Sequence, residues 1–225
     1  MATCYSCHTR LNRKNQSWEH IIPSALGGST KSRRILCKTC NEKAGSTIDQ
    51  ALAAFCRSQL EKFGIQPDRI NSSQDWKPQP FTTEMVVLAV HKILTNFYFW
   101  KWKPASQIIH YDSIQKHLQV VPLFYPEMPL HLIYLEAREH AGWMTGYIEL
   151  FGEIGFIVKF ETGVREKNSA ALFLQDPVHK KEYITTAGDR TQIIEYVKQH
   201  LQTFSTPSAA FPLQFLPHSR LPQIL

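Results

Sequence analysis

The sequence lacks any long uninterrupted apolar run. Its most apolar stretch, MVVLAVHKILTNFYFW at residues 85–100, is interrupted by His91, Lys92 and Asn96. A helix needs about 20 consecutive apolar residues to span a bilayer, so this stretch predicts a buried helix of a globular protein. The opening residues, MATCYSCHTR, also lack the apolar core of a secretory signal. The expected location is therefore the cytoplasm.

The composition is not that of a disordered chain. Hydrophobic residues make up 43% and charged residues 20% of the 225 residues, which is close to globular averages. The stretch QPDRINSSQDWKPQP at residues 66–80 is rich in Pro, Ser, Asn and Asp, which predicts a linker. We therefore expect an N-terminal unit over residues 1–65 and a C-terminal unit over residues 81–225.

Positive charge is concentrated near the start of the sequence. The formal net charge is +6, and residues 1–50 alone carry eight basic and three acidic side chains, 8 − 3 = +5. The basic residues are Arg10, Arg13, Lys14, Lys31, Arg33, Arg34, Lys38 and Lys43. Such a field favours a polyanionic partner such as nucleic acid. Charge alone is equally typical of a solvated surface.

Two Cys-x-x-Cys pairs lie in the same basic segment. Cys4 and Cys7 form the first pair, and Cys37 and Cys40 form the second. In a reducing compartment such pairs indicate a metal site, and two pairs complete a tetrahedral shell of four sulfur atoms. Zinc is the usual occupant of this shell, where it stabilises the fold. We expect a structural Zn²⁺ here, whereas Cys56 fits the apolar face of a helix.

Three polar residues between and beside the cysteines indicate chemistry. Glu19 and His20 are adjacent on an expected strand, SWEHIIP, so their side chains should point to opposite faces. Asn41 directly follows Cys40, so metal binding by the second cysteine pair would fix the position of Asn41 at the start of a helix. Oxygen ligands from Glu19 and Asn41 suit Mg²⁺, which needs only one or two protein ligands besides water and phosphate.

This arrangement resembles the HNH endonucleases, which belong to the ββα-metal nucleases. The resemblance covers residues 3–60 and rests on the four cysteines, on EHIIPSALGG, on Asn41 and on GSTID. It implies a zinc-stapled ββα-metal unit in which His20 is the general base. It also implies that Glu19 holds one Mg²⁺ or Mn²⁺ ion, and that Asn41 either binds this ion or fixes the His20 loop.

The sequence departs from the family pattern at two places. The first pair is Glu-His, whereas Asp-His or His-His is commoner. The last His of the pattern is missing, and Asp49 stands near its place. Asp49 is therefore a candidate metal ligand, a partner of a ligand, or an acid on the helix surface.

The loop after the first strand supplies candidate contacts to a substrate. Gly27-Gly28 would arch over the active site or form a plain turn. The basic candidates for phosphate contacts are Lys31, Arg33, Arg34 and Lys43. Each is as well explained by a solvated surface position.

The C-terminal unit is expected to be α+β. Patterns predict a helix beginning at Thr82 or Thr83, a further helix or mixed segment over residues 105–119, three antiparallel strands in LHLIYLEAR, GWMTGYIELFG and EIGFIVKFE, and a helix in DRTQIIEYVKQHLQTF. The cluster FYFWKWK at residues 97–103 fits core packing or base stacking. By analogy alone, this unit serves target recognition, docking of a protein partner or formation of a homodimer.

The resulting hypothesis is a metal-dependent endonuclease that hydrolyses double-stranded DNA, in a role such as phage defence or restriction. A zinc ribbon that binds nucleic acid or protein without catalysis explains the cysteines and the charge equally well. An RNase is the third alternative, because a His base beside one metal ion requires no 2′-hydroxyl.

Overall fold

The computed structural model describes residues 2–66, 80–102, 119–121, 129–137, 143–161, 169–182, 190–195 and 197–198. The predicted segment at residues 105–119 falls outside them except for residue 119, and most of the predicted linker also lies outside them. Among the described residues, no helix combines the length and apolarity needed to cross a membrane.

The N-terminal unit is a short hairpin followed by three short helices. Strand β1 (Glu19–His20) pairs antiparallel with β2 (Lys31–Ser32), with Glu19 opposite Ser32 and His20 opposite Lys31. A 3₁₀ turn at Ser24–Leu26 lies between the strands. The helices are α1 (Lys38–Gly45), α2 (Ile48–Phe55) and α3 (Arg57–Lys62).

The helical region after the hairpin is divided into three short helices. The helix that was expected to start near Asn41 begins at Lys38, and Ser46 follows its end. The hydroxyls of Ser46 and Thr47 both donate to the carbonyl of Lys43, at 3.1 and 2.8 Å. Side chains that bond nearby carbonyls compete with helix continuation, so α2 begins anew at Ile48.

The C-terminal unit contains helix α4 (Thr83–Trp102) and a six-stranded antiparallel sheet. The helix begins where the sequence predicted, and Met85 N–H donates at 3.3 Å to Oγ1 of Thr82, which lies just before the first turn. The strands are β3 (Gln119–Val121), β4 (His131–Ala137), β5 (Trp143–Leu150), β6 (Ile154–Glu161), β7 (Ser169–Asp176) and β8 (Lys181–Glu182). Their spatial order is β3-β6-β5-β4-β7-β8. The predicted meander is therefore confirmed as β4–β5–β6, and β3, β7 and β8 extend it.

Each face of the sheet buries one set of alternating side chains. Ile133, Ile148 and Phe173 face α4, whereas Tyr134 and Tyr147 face the opposite side. On that second side the sheet packs against Ile193 and Val197 of the helical residues 190–195 and 197–198. This alternation is what a two-sided sheet requires.

One hydrophobic core continues across both predicted units. It runs from Cys4 and Ile35 of the N-terminal unit through Val90 and Leu94 of α4 to Phe173 of the sheet. In α4, residues 86–98 are buried apart from Leu88, and Phe97 and Tyr98 pack in the core. Within the predicted FYFWKWK cluster, these two aromatics therefore follow the core-packing alternative. The division into two domains stays a prediction.

The sheet also holds the loop between β1 and β2. His131 lies at the start of β4 and is fully buried; its Nε2 donates to the carbonyl of Leu26 at 2.8 Å. Its Nδ1 accepts from the N–H of Phe151 at 3.2 Å, so the imidazole is neutral. Gln175 donates to the carbonyl of Gly27 at 3.2 Å. The Gly27-Gly28 loop is thus pinned against the sheet.

Close backbone contacts require glycine at both positions of this loop. Gly27 has φ +83°, and a Cβ there would lie 2.5 Å from the carbonyl oxygen of Pro177. A Cβ at Gly28 would lie 1.8 Å from the carbonyl oxygen of Ile22, within the same loop. At Gly27 the left-handed backbone conformation adds a second reason for glycine.

We predict that acid weakens the fold partly through His131. Burial lowers the pKa of His131 from 6.5 to about 4. Below pH 6.5 the unfolded chain takes up a proton that the folded chain refuses, so the free energy of unfolding falls as pH falls from 6.5 to about 4. Full titration corresponds to about 3 kcal/mol. Urea unfolding across this pH range measures the slope.

The control for this prediction is His131→Gln. Other groups, including His91 and the cysteine thiolates, contribute equally to both proteins, so the difference between the two slopes isolates His131. Equal slopes would contradict the prediction.

Candidate functional site

The four predicted zinc ligands come together. The Sγ atoms of Cys4, Cys7, Cys37 and Cys40 all lie within 4.8 Å of one another. Cys4 and Cys7 lie on a turn closed by the Thr3–Arg10 bridge, Cys37 directly precedes α1, and Cys40 lies in its first turn. The cluster therefore joins the N-terminal turn to the start of α1.

The cluster fits a zinc ion. Four thiolates 2.3 Å from a tetrahedral centre lie about 3.8 Å apart, and the Sγ atoms of Cys7 and Cys37 are 3.7 Å apart. The hydroxyl of Thr9 lies 3.3 Å from Cys7 Sγ, and this hydrogen bond lowers the pKa of Cys7 to about 6. Burial raises the pKa of Cys4. Zinc binds thiolates and therefore releases the thiol protons, so the affinity for zinc depends on pH.

We predict that Cys37→Ser releases zinc and unfolds the N-terminal unit, because metal binding supplies folding energy. Zinc analysis by atomic emission should show less than one ion per chain, and the melting temperature should fall. Cys56→Ala is the matched control, since Cys56 is buried outside the cluster; it should retain the zinc. A Cys37→Ser protein with full zinc content and unchanged melting would refute this.

The hairpin places Glu19 and His20 on opposite faces, as predicted. Glu19 is only 1% exposed and points into the core. His20 is partly exposed and lies directly opposite Lys31 on β2. The hairpin therefore has a buried carboxylate face and an outer face with an imidazole.

Glu19 forms a buried ion cluster with α2 and α4. Its Oε1 accepts from Lys92 Nζ at 2.5 Å and from Asn96 Nδ2 at 2.7 Å. Lys92 Nζ also donates to Asp49 Oδ2 at 3.0 Å, and the Lys92 side chain is 2% exposed. Asp49 is thus a partner within this cluster, which excludes the prediction of a helix-surface acid.

The charges of this cluster are interdependent. Burial raises the pKa of Glu19, opposed by the nearby Lys92 ammonium. Burial alone would lower the pKa of Lys92, but the carboxylates of Asp49 and Glu19 outweigh it and raise the pKa. Lys92 is therefore held as a buried cation between two acids, which is the condition under which a buried charge is tolerated.

Asn41 and Asn96 hold the two sides of β1. Asn41 Nδ2 donates to Ser17 Oγ at 2.6 Å and to the carbonyl of Trp18 at 3.1 Å. Asn96 Nδ2 also donates to the carbonyl of His20 at 2.9 Å. The backbone on both sides of Glu19 is therefore held by a side-chain amide, that of Asn41 at Trp18 and that of Asn96 at His20. The role of Asn41 toward His20 stays a prediction.

Sequence reasoning missed Lys92 and Asn96 as parts of the site. Both interrupt the apolar stretch of α4 at an interval of four residues, which places them on one face of a helix. Tyr5, also missed, donates from its hydroxyl to Asn96 Oδ1 at 3.0 Å and so links the turn between Cys4 and Cys7 to the buried ion cluster. Polar residues at helical spacing in a buried helix were the available signal.

The predicted phosphate contacts lie on the surface. Lys31, Arg33, Arg34 and Lys43 are all exposed, as are the other four basic residues of the first 50. Within residues 2–50, the two acids Glu19 and Asp49 pair with Lys92, and only Glu42 remains an exposed acid. The charge exposed on the surface of this segment is therefore more positive than the net charge of its sequence.

The comparison with known families agrees with this geometry. The sequence model described as HNH endonuclease matches residues 4–55, which confirms the resemblance for that segment. Residues 4–55 thus form an HNH endonuclease domain that contains the four-cysteine cluster. Neither the curated proteins nor the solved structures gave a match.

The described arrangement does not offer the Glu19 carboxylate as an open ligand for a divalent ion. This carboxylate already binds the Lys92 ammonium, and a second cation at the same oxygen would be repelled by it. Asn41 donates through Nδ2 to Ser17 and Trp18, whereas a metal ion would bind its Oδ1. The Mg²⁺ or Mn²⁺ ion, with Glu19, Asn41 or Asp49 as ligands, therefore stays a prediction.

We predict that Lys92→Met destabilises the protein by about 3–5 kcal/mol, because it leaves two acids buried without a cation. Urea unfolding at pH 7 gives the value. Lys101→Met on the same helix is the control; Lys101 is exposed, so its change should stay within about 0.5 kcal/mol. If Lys92→Met costs no more than this control, the ion cluster does not stabilise the fold.

Proposed function

We propose that this protein is an endonuclease that hydrolyses phosphodiester bonds in DNA, with His20 as the general base. The observation that carries the proposal is the outer face of the β1–β2 hairpin. There a partly exposed imidazole lies opposite Lys31 within a segment that matches the HNH endonucleases.

The surrounding contacts would keep this imidazole oriented during the reaction. Asn96 holds the carbonyl of His20, and Asn41 holds the segment that enters β1. A base that is fixed before the substrate arrives avoids reorganisation in the transition state. These two asparagines therefore act as positioning residues in the proposed mechanism.

In the reaction, His20 takes a proton from water as the water oxygen attacks the phosphorus. The bond to the 3′-oxygen breaks, and this oxygen takes up a proton from solvent to leave a 3′-hydroxyl. A neutral imidazole suits the first step near pH 7. Lys31, directly across the hairpin, contributes positive charge near the phosphate.

Substrate binding is supported by the uneven surface charge. Eight exposed basic residues in the first 50 favour the phosphate backbone, and contacts from Lys31, Arg33, Arg34 and Lys43 would make binding fall with rising salt. In this proposal the protein acts in the cytoplasm, where its thiols stay reduced for zinc. In the same proposal, the C-terminal unit selects the target, docks a protein partner or forms a dimer. Phage defence is one biological role in which such a nuclease would act.

A second candidate is a zinc module that binds nucleic acid without cutting it. The pairing of Glu19 with Lys92 favours this alternative, because it occupies the carboxylate that the family resemblance assigns to the catalytic metal. The outer face would then serve binding alone.

The test is cleavage of supercoiled plasmid, linear duplex DNA and single-stranded RNA, each with Mg²⁺, with Mn²⁺ and with neither ion. We predict that His20→Ala lowers the rate about 10²- to 10⁴-fold, the usual contribution of a general base. His179→Ala is the matched control, because it removes an exposed imidazole from the β7–β8 turn. It should cut at the parent rate.

The outcomes separate the candidates. Equal activity of parent and His20→Ala, with equal zinc content, would reject His20 as the base. Binding without cleavage by the parent under every ion condition favours the zinc module. Cleavage confined to RNA identifies an RNase.

A further inference from the structure

We infer that Trp18 is a binding site for an unpaired nucleobase, adjacent to the proposed base His20. This inference deepens the proposed function, since it rests on a polynucleotide as the substrate. It adds a residue that was not among the sequence-based candidates, and it specifies which form of the polynucleotide the hairpin accepts.

Trp18 is unusually exposed for its size. Among the described residues only two large hydrophobic side chains are exposed, Trp18 at 48% and Val178 at 42%. Trp is among the residues that gain most from burial, and exposed aromatic surface beside polar groups often marks a binding site. The core of the N-terminal unit is complete without this ring.

Trp18 directly precedes β1, and the hairpin register extended by one residue places it on the same outer face as His20. Side chains two residues apart in an extended strand share a face, and the intervening Glu19 is buried on the other one. The pairing of Glu19 with Ser32 brings Arg33 next to Trp18. Arg33 Cζ lies 4.4 Å from the centroid of the indole ring, and Lys31 Nζ lies 5.5 Å from it.

The backbone of Trp18 is also fixed in advance. Its carbonyl accepts from Asn41, whose helix begins at the zinc cluster. The ring is therefore anchored through its backbone to the same frame that holds His20, and a ligand on the ring lies beside that residue.

The chemistry around the ring matches a polynucleotide. The exposed part of the indole ring can stack on any nucleobase, and the guanidinium and ammonium groups that lie over the ring complement the phosphates of the same strand. If an apolar protein surface covered the ring instead, the Arg33 guanidinium and the Lys31 ammonium would be buried without anionic partners. The positive surface of this segment therefore selects a polyanion with flat apolar groups, which is a nucleic acid strand.

The nucleobase that stacks on Trp18 must be unpaired or must lie at a distortion of the duplex. In an intact duplex both faces of every base are covered by its neighbours, so the ring has no face to stack on. A single strand, a bulge, a flap or a frayed end presents such a face. The inferred site thus favours cleavage near unpaired positions.

The test is fluorescence anisotropy with full-length protein carrying His20→Ala, so that the probes stay intact. The probes are a labelled single-stranded DNA, the matching RNA, the duplex of the same DNA sequence and a single strand with abasic positions. We predict that Trp18→Ala weakens single-strand binding roughly 5- to 150-fold, the usual contribution of one stacked base. It should change binding of the duplex and of the abasic strand little.

Conservative variants separate stacking from other roles. Trp18→Phe should retain most of the affinity, whereas Trp18→Leu, which keeps apolar surface but no π-face, should bind as weakly as Trp18→Ala. Arg33→Gln should lower the salt dependence of binding, because it removes a phosphate contact, while Trp18→Ala leaves that slope unchanged. Val178→Ala is the control for an exposed apolar side chain elsewhere.

Several results would overturn the inference. They are unchanged single-strand affinity in Trp18→Ala, full affinity in Trp18→Leu, or an equal loss on duplex and single strand. Cleavage by the parent together with unchanged affinity in Trp18→Ala rejects the stacking site and leaves the nuclease proposal standing. If Trp18→Ala weakens single-strand binding as predicted but the parent does not cleave, the nuclease proposal is rejected and the stacking site stands. A loss on the RNA probe but not on DNA assigns the unpaired base to RNA.

Discussion

The arrangement of the site depends on one buried cation. Lys92 reaches from the middle of α4 to the carboxylates of Glu19 on β1 and Asp49 on α2. A charge in the core is tolerated only while its partners stay within contact distance. Neither the hairpin nor α2 can therefore move away from α4 without exposing or stranding a charge. The position of β1, and with it that of His20, is set by a helix outside the HNH segment.

A hairpin this short requires such external support. Each of its strands has two residues, and an isolated pair of strands is at best marginally stable. The four-cysteine cluster joins the chain before β1 to the chain after β2, while Lys92 and Asn96 hold β1 itself. His131 and Gln175 hold the connecting loop against the sheet. Three separate parts of the chain thus position the short backbone segment that carries His20.

Local pattern was sufficient to predict the parts of the site that depend on nearby residues. The cysteine spacing predicted the four-sulfur cluster, and strand alternation predicted opposite faces for Glu19 and His20. What pattern did not supply were contacts over long separations, since Lys92 lies 73 residues from Glu19. In sequence Lys92 was only an interruption in an apolar helix. Likewise, no local signal placed β7 beside β4, a pairing that depends on the whole sheet.

The extent of the HNH segment differs from the extent of the structural unit that supports it. The family match ends at residue 55, whereas the groups that neutralise Glu19 and hold the carbonyl of His20 lie at residues 92 and 96. Residues 4–55 alone would leave two acids without their cation and would expose the face of the core that α4 covers. A change in α4 therefore reaches β1 directly, through Lys92 and Asn96. The position of β1 therefore depends on residues of α4 that lie outside the family match.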